Sequence, residues 1–256
     1  MDQHSINKTL IRDFYRRALG QGDIDFARAI VADGYIQHSS MGKPDKAGLL
    51  ESLEAFGKMP KPVTTSKPFM RLLAEGDYVV TNMSFGWGDS QKVVVDLFRF
   101  ENGQVIEHWD AIQDQPESTH NGNAMMDGAV EADTTEPTET NKAVVADYYQ
   151  RVLIQRQTDR LADFVAVDLV QHNPEIANGT AGLLAYFSRG ADDFSMNKVH
   201  RIIGEGNFVV VQAEGELAGK PTVFYDIFRL IGGEIVEQWA VSQAIPANMP
   251  HENGIL

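Results

Sequence analysis

The chain has 256 residues, 43% of them hydrophobic, no cysteine, and a formal net charge of −14. That length suits two domains of ordinary size with real cores. Missing thiols exclude disulfides and thiolate metal or nucleophile sites, and the acidic balance argues against nucleic acid or anionic membranes as partners.

In chain order, Asn7 to Leu19 places Leu10, Ile11, Phe14, Tyr15 and Ala18 at helical spacing, and Gly20 and Gly22 end the helix. The opening MDQHSINKTL lacks a basic start followed by an apolar run, so no signal peptide is expected. No later run reaches membrane-spanning length, and the expected location is the cytoplasm. Asp23 suits the cap of a second helix, Ile24 to Val31. Tyr35 to His38 is short and extended. Lys46 to Gly57 reads as a third helix with Leu49, Leu50, Leu53 and Phe56 inward. Four strands are expected next, about Lys67 to Ala74, Tyr78 to Phe85, Lys92 to Phe100 and Gln104 to Gln113.

Met126 to Thr140 is acidic and poor in large apolar residues, which reads as a linker. After it the pattern starts again. NKTLIRDFYRRAL returns as NKAVVADYYQRVL, so Tyr15 matches Tyr149, and Gln37-His38 matches Gln171-His172. The last two strands return as well: Asp96, Phe98, Arg99, Gly103, Glu107 and Trp109 match Asp226, Phe228, Arg229, Gly233, Glu237 and Trp239. The chain is therefore read as one unit built twice, over residues 1–126 and 141–256 with 127–140 between them. Helices first and a curved antiparallel sheet last make each unit α+β, three helices covering one sheet face.

A three-residue loop, Glu101-Asn102-Gly103, would pair Asp96 with His108 and Phe98 with Ile106. Alternation then puts Asp96, Phe98, Ile106, His108 and Asp110 on one face. Val95, Leu97, Arg99, Val105, Glu107 and Trp109 lie on the other. Only the first face gathers ionisable groups among apolar ones, as a small-molecule pocket does. Trp109 and Trp239 face away from it and read as packing, and Arg99–Glu107 and Arg229–Glu237 as structural pairs. The second face, with Tyr225, Ile227, Ile235 and Trp239 in the second copy, is too apolar to leave in water. It is expected to pair the two copies as a pseudo-twofold dimer within one chain, with pairing to a second chain as the alternative.

Helices, a short strand ending in "QH", and a closing D-x-F-R-x-x-x-G-x-x-x-E-x-W together resemble the SnoaL-like members of the nuclear transport factor 2-like superfamily. The resemblance covers both copies and implies two tandem conical α+β barrels, each enclosing a pocket. Members include polyketide cyclases, ketosteroid isomerases, epoxide hydrolases and non-catalytic binders, so fold alone does not give function. Laid on this chain, the isomerase pattern makes Tyr15 and a protonated Asp96 the oxyanion donors. Its carboxylate base falls where this chain has His38. A histidine can take a proton next to a carbonyl, and two donors can stabilise the oxygen as charge develops. In the cyclases and epoxide hydrolases an aspartate near the end of the last strand is implicated, and Asp110 stands there.

The site expected from sequence is therefore Tyr15, His38, Asp96, His108 and Asp110. Phe14, Phe98 and Ile106 line the first pocket, and Tyr149, His172, Asp226 and Phe228 the second. His108 and Asp110 become Gln238 and Ala240 in the second copy, so the first is the better catalyst. His108 with Asp110 is the one pair with any metal-ligand character, and no metal is assigned. No glycine-rich phosphate loop is present, so no cofactor is assigned either. The expected activity is proton transfer on a small, mostly apolar carbonyl compound, by isomerisation, cyclisation or aldol chemistry. The rivals are a non-catalytic binder and a hydrolase in which Asp110 and His108 activate water. THNGNAMM and PHENGIL, which follow the last strand of each copy, are candidates for closing over a pocket mouth.

Overall fold

A computed structural model describes residues 2–59, 70–88 and 90–256. Helix α1 (Gln3–Asp13) is capped by Asp2, whose carboxylate accepts from the Ser5 amide at 2.8 Å. It runs straight into a π-helical turn, Phe14–Leu19. α2 (Ile24–Ile30) starts on Asp23, which accepts from the Phe26 amide. α3 (Lys46–Gly57) starts on Asp45, which accepts from the Gly48 amide.

The first unit's strands are β1 (Val31–Gln37), β2 (Met70–Glu75), β3 (Tyr78–Trp87), β4 (Ser90–Glu101) and β5 (Gln104–Asp114). The expected start of β2 at Lys67 lies outside the described residues. The second unit repeats the plan. α4 (Thr138–Tyr148) continues into a π turn, Tyr149–Ile154. A 3-10 segment, Thr158–Asp163, stands where α2 stood. Then come β6 (Val165–Gln171), α5 (Gly179–Phe187), β7 (Phe194–Glu205), β8 (Phe208–Leu217), β9 (Lys220–Ile231) and β10 (Glu234–Ala244).

Each unit is α+β, with helices over one face of a five-stranded sheet ordered β1-β5-β4-β3-β2 or β6-β10-β9-β8-β7. The sheets are mixed rather than wholly antiparallel, because β1 and β6 join their edges parallel to β5 and β10. These are the two tandem cones that the resemblance implied.

The hairpin register differs from the expected one by two residues. The loop is only Asn102-Gly103, both at positive φ (52° and 79°), flanked by the pair Glu101–Gln104. Two positive φ values are what a tight two-residue turn needs. Ile106 is then left over as a bulge, since Phe100 pairs with Val105 and Arg99 with Glu107. As a result Asp96 faces Asp110, and Phe98 faces His108. The bulge also turns Val105 into the interior of the first cone, beside Phe98 and Phe100. Ile235 turns inward in the second copy in the same way. Both had been expected on the outer face.

Among the described residues three apolar cores result. One fills each cone, and the third joins the sheets back to back. It takes Val93, Val95, Leu97, Trp109 and Ala111 from one sheet and Val210, Val223, Tyr225, Ile227 and Trp239 from the other. Trp109 is 0% and Trp239 2% exposed, so this seam hides the apolar face that the sequence could not leave in water. The contacts across it are reciprocal. Arg71 lies 4.0 Å over the Trp239 ring, and Arg201 lies 4.0 Å over the Trp109 ring. Gln113 Oε1 accepts from the Ser242 amide, and Gln243 Oε1 from the Ile112 amide.

The acidic stretch between the units is packed rather than loose. Met126, Ala129 and Ala132 lie against the seam. The segments after β5 and β10 do not close over their own pockets. Each crosses to the other unit: Asn123 bonds the Gln171 carbonyl, and Asn253 bonds the Gln37 and Pro44 carbonyls. Among the described residues no helix is long and apolar enough to cross a membrane.

Candidate active site

Inside the first cone, β3, β4 and β5 and the π turn after α1 bring four polar side chains together. Tyr15, in the π turn, donates to Asp96 Oδ2 at 2.7 Å, and Thr81 from β3 donates to the same oxygen at 3.2 Å. His108 Nε2 lies 3.0 Å from Asp96 Oδ1. Its other nitrogen, Nδ1, is 2.8 Å from Gln37 Oε1. That oxygen also accepts the Ser39 amide at 3.0 Å, so His108 Nδ1 carries the hydrogen. Phe98 packs on the His108 ring at 4.6 Å between centroids, and Phe14 and Phe98 meet Tyr15 edge-on.

The electrostatics follow from this enclosure. Burial would pull His108 down, but the hydrogen bond and charge of Asp96 and the charge of Asp110 outweigh it and raise the imidazolium above its ordinary value. Asp110 is 7% exposed, and burial pushes it up to about 6, aided by the Asp96 charge and opposed by His108. Its Oδ1 is buried without a hydrogen-bond partner among the described residues. Burial, then the Asp96 charge, holds the Tyr15 proton on well beyond its usual range.

Several expected roles change. Asp96 is not a free oxyanion donor, because it accepts from Tyr15 and Thr81 and its other oxygen faces His108 Nε2. His38 does not join this group. Side chains alternate along β1, so when Gln37 points into the cone His38 points out. There it stacks on Trp109 at 4.8 Å, with Nε2 2.9 Å from Glu107 and Nδ1 2.9 Å from the Gly254 carbonyl. His172 is held in the same way by Trp239, Glu237 and the Ala124 carbonyl, outside the second pocket. Arg99 and Arg229 complete those corners by donating to Glu107 and Glu237 at 2.7 Å. Ile106 is the half-buried bulge residue and is not part of the inner core. Gln37 and Thr81 were missed; the "QH" pair drew weight to its histidine.

Asp96, His108 and Asp110 offer three ligand atoms within 4.8 Å of one another, a spacing that could hold a cation. His108 Nε2 is, however, already matched to Asp96, so the trio reads as a hydrogen-bonded acid–base group.

The second cone keeps part of this set. Tyr149 donates to Asp226, Gln238 Nε2 donates to Asp226 Oδ1 at 3.3 Å, and Gln171 Nε2 donates to Gln238 Oε1 at 2.9 Å. Burial pushes Asp226 up to about 6 against the bonds from Tyr149 and Gln238. Phe228 packs edge-on to Tyr148 and Tyr149. Opposite Asp226 stand Ala240 and Val211, where the first cone has Asp110 and Thr81.

No curated protein sequence matches the chain. Three solved structures similar to it each align with less than half of its length. A putative ketosteroid isomerase from Kribbella flavida is 18% identical, covering 46% of this chain and 89% of that one, with a TM-score of 0.39. IdmH, a putative polyketide cyclase from Streptomyces antibioticus, is 21% identical over 40% and 91%, with a TM-score of 0.35. An LEH-like epoxide hydrolase from M. tuberculosis is 18% identical over 41% and 84%, with a TM-score of 0.35. The sequence profile of the SnoaL-like domain matches residues 11–108 and again 145–238, so the chain belongs to the SnoaL-like family and carries its domain twice.

Proposed function

We propose that the first cone is an enzyme that moves protons on a small, mostly apolar carbonyl compound, with Asp110 as the base. One observation carries this reading: a buried, unpartnered carboxylate oxygen, on a group pushed up to about 6, beside a histidine and a tyrosine. A base poised near the working pH is both ionised and strong enough to take a proton from carbon next to a carbonyl. Tyr15 supplies the proton-bearing donor for the oxygen where charge develops. When Tyr15 turns to the substrate, Asp96 keeps Thr81 and His108 as donors, so no buried carboxylate is left bare. The proton that Asp110 takes stays on its carboxyl and goes back from there to the substrate, while His108, fixed by Gln37, holds Asp96 in place.

The test is deuterium exchange. A panel of cyclic ketones is incubated with the protein in D2O and followed by NMR at the carbon beside the carbonyl. Exchange that Asp110→Asn removes is the expected result. Exchange that survives Asp110→Asn would overturn the assignment of the base. No exchange, together with Asp110-dependent opening of an epoxide or ester panel, would transfer the site to the hydrolase reading.

A further inference from the structure

The second cone encloses a cavity of about 370 Å³, within the range of pockets that take small molecules. Aromatic and aliphatic side chains form its walls, among them Tyr148, Leu153, Ile176, Leu183, Phe187 and Phe224. Asp226, Gln238 and Ala240 reach it from β9 and β10, and the exposed Arg189 stands at its rim.

The hydrogen bonds around Asp226 decide what that carboxylate can take from a ligand. Tyr149 donates to Asp226, and with Val211 where the first cone has Thr81 no hydroxyl could replace that bond if it turned away. One Gln238 N–H is committed to Asp226 Oδ1, and the Gln238 carbonyl is taken by Gln171. What Asp226 still offers is acceptor capacity, since a carboxylate has about four lone-pair positions and two are used. A ligand reaching it must therefore bring a donor. A carbonyl compound brings none. A hydroxyl brings one without carrying a charge into an aromatic cavity. Ala240, in place of the first cone's Asp110, leaves room beside Asp226 for that group.

The same substitutions remove the means of turnover. The imidazole in the chain Gln37–His108–Asp96 can gain and lose a proton. The amide in the chain Gln171–Gln238–Asp226 cannot do so near neutral pH. No second carboxylate stands opposite Asp226. We propose that the second cone is a non-catalytic binding site for a mostly apolar, ring-sized alcohol or phenol whose hydroxyl donates to Asp226. This does not depend on what the first cone catalyses.

The probe is 2-naphthol, compared with 2-methoxynaphthalene, which has nearly the same shape and no donor. Both are titrated into the whole chain while methyl NMR signals are followed at Leu183 and Ile176 in the second cone and at Leu50 and Leu53 in the first. The expected result is that 2-naphthol shifts Leu183 and Ile176 and binds there at least tenfold more tightly than the ether. Asp226→Asn, which can present a donor, should erase that preference. Ala240→Leu, which fills the space beside Asp226, should remove the shifts. Unmoved Leu183 and Ile176 signals, equal affinity for the ether, or consumption of 2-naphthol would each overturn the proposal. The comparison of the two probes on the unaltered chain decides it even if neither variant folds. Failure of ketone exchange in the first cone has no bearing on the outcome.

Discussion

The two cones differ least where a tyrosine meets an acid and most where a proton could move. Tyr15–Asp96 with Phe98 persists as Tyr149–Asp226 with Phe228. Thr81, His108 and Asp110 become Val211, Gln238 and Ala240. The retained groups hold the π turn of the first helix against the sheet, which both copies need for their shape. The lost groups are those that titrate, or that hydrogen-bond the carboxylate. Duplication has thus separated the scaffold of the pocket from its chemistry within one chain. The tyrosine–acid bond is evidence of a shared fold, and the His108–Asp110 pair is what suggests an enzyme.

Mutation can break this contrast most sharply at the base. General acid–base groups contribute about 10²–10⁴-fold, so Asp110→Asn should lower kcat on an exchanging ketone by about that much. Asp226→Asn should cost less than tenfold in the same assay, and equal losses would mean that the cones act alike. The pH profile carries the same signature: kcat/KM should climb with pH through about 6, as Asp110 becomes ionised, and then level off.

Stability against pH is where the cones should agree. Asp110 and Asp226 are both raised to about 6 in the folded chain, above the ordinary value of 3.8. The folded state therefore holds these protons more tightly than the unfolded one. Their favourable contribution is complete below about pH 4 and is lost as pH rises through about 6. For either group the loss is on the order of 3 kcal/mol. Urea denaturation of Asp226→Asn and of Asp110→Asn should show each variant gaining on the parent by about that amount between pH 4 and pH 7. A gap that is flat with pH would refute the raised value for that group.

A smaller effect is expected from rebuilding the lost chemistry. In an Asp110→Asn background, Val211→Thr, Gln238→His and Ala240→Asp together place the first cone's set in the second. Exchange should rise about tenfold over that background, a modest gain because such groups must be held within a fraction of an ångström. No gain, in a variant that folds, would show that the difference between the cones lies beyond these positions.

The smallest contrast is at the seam. Trp239 Nε1 donates to the Asp127 carbonyl at 2.7 Å, whereas Trp109 Nε1 is buried with no partner among the described residues. Trp239→Phe should therefore cost about 1 kcal/mol more than Trp109→Phe in urea denaturation. Equal costs would mean that the Asp127 bond adds nothing.

Much of this was legible in the sequence because it was written twice. The recurrence of the hairpin and of the tyrosine helix gave two α+β units, and strand alternation placed Asp96, His108 and Asp110 on one face. The two-residue turn and the Ile106 bulge shifted the pairing by two, which left the parity of Asp96, His108 and Asp110 intact and misplaced Val105, Ile106 and Ile235. His38 failed for a different reason. β1 joins the sheet edge in parallel with an irregular register between Val31 and Ile36, so nothing local shows which of Gln37 and His38 points inward. The crossing segments carry no periodicity, and their contacts are single polar side chains on distant carbonyls, which no pattern of hydropathy encodes.

Those crossing segments bear on how the protein is made. His38 finds the Gly254 carbonyl across 216 positions of chain, while His172 finds that of Ala124 across only 48. During synthesis the second cone can take its borrowed strap as soon as its own strands emerge, because residues 119–128 already exist. The first cone must wait for residues 249–256. Until then its Trp109 face and the Glu107–Arg99 corner are exposed, and closing so distant a contact is a slow step. The cone with the acid–base group is therefore the first to be translated and the last to be finished.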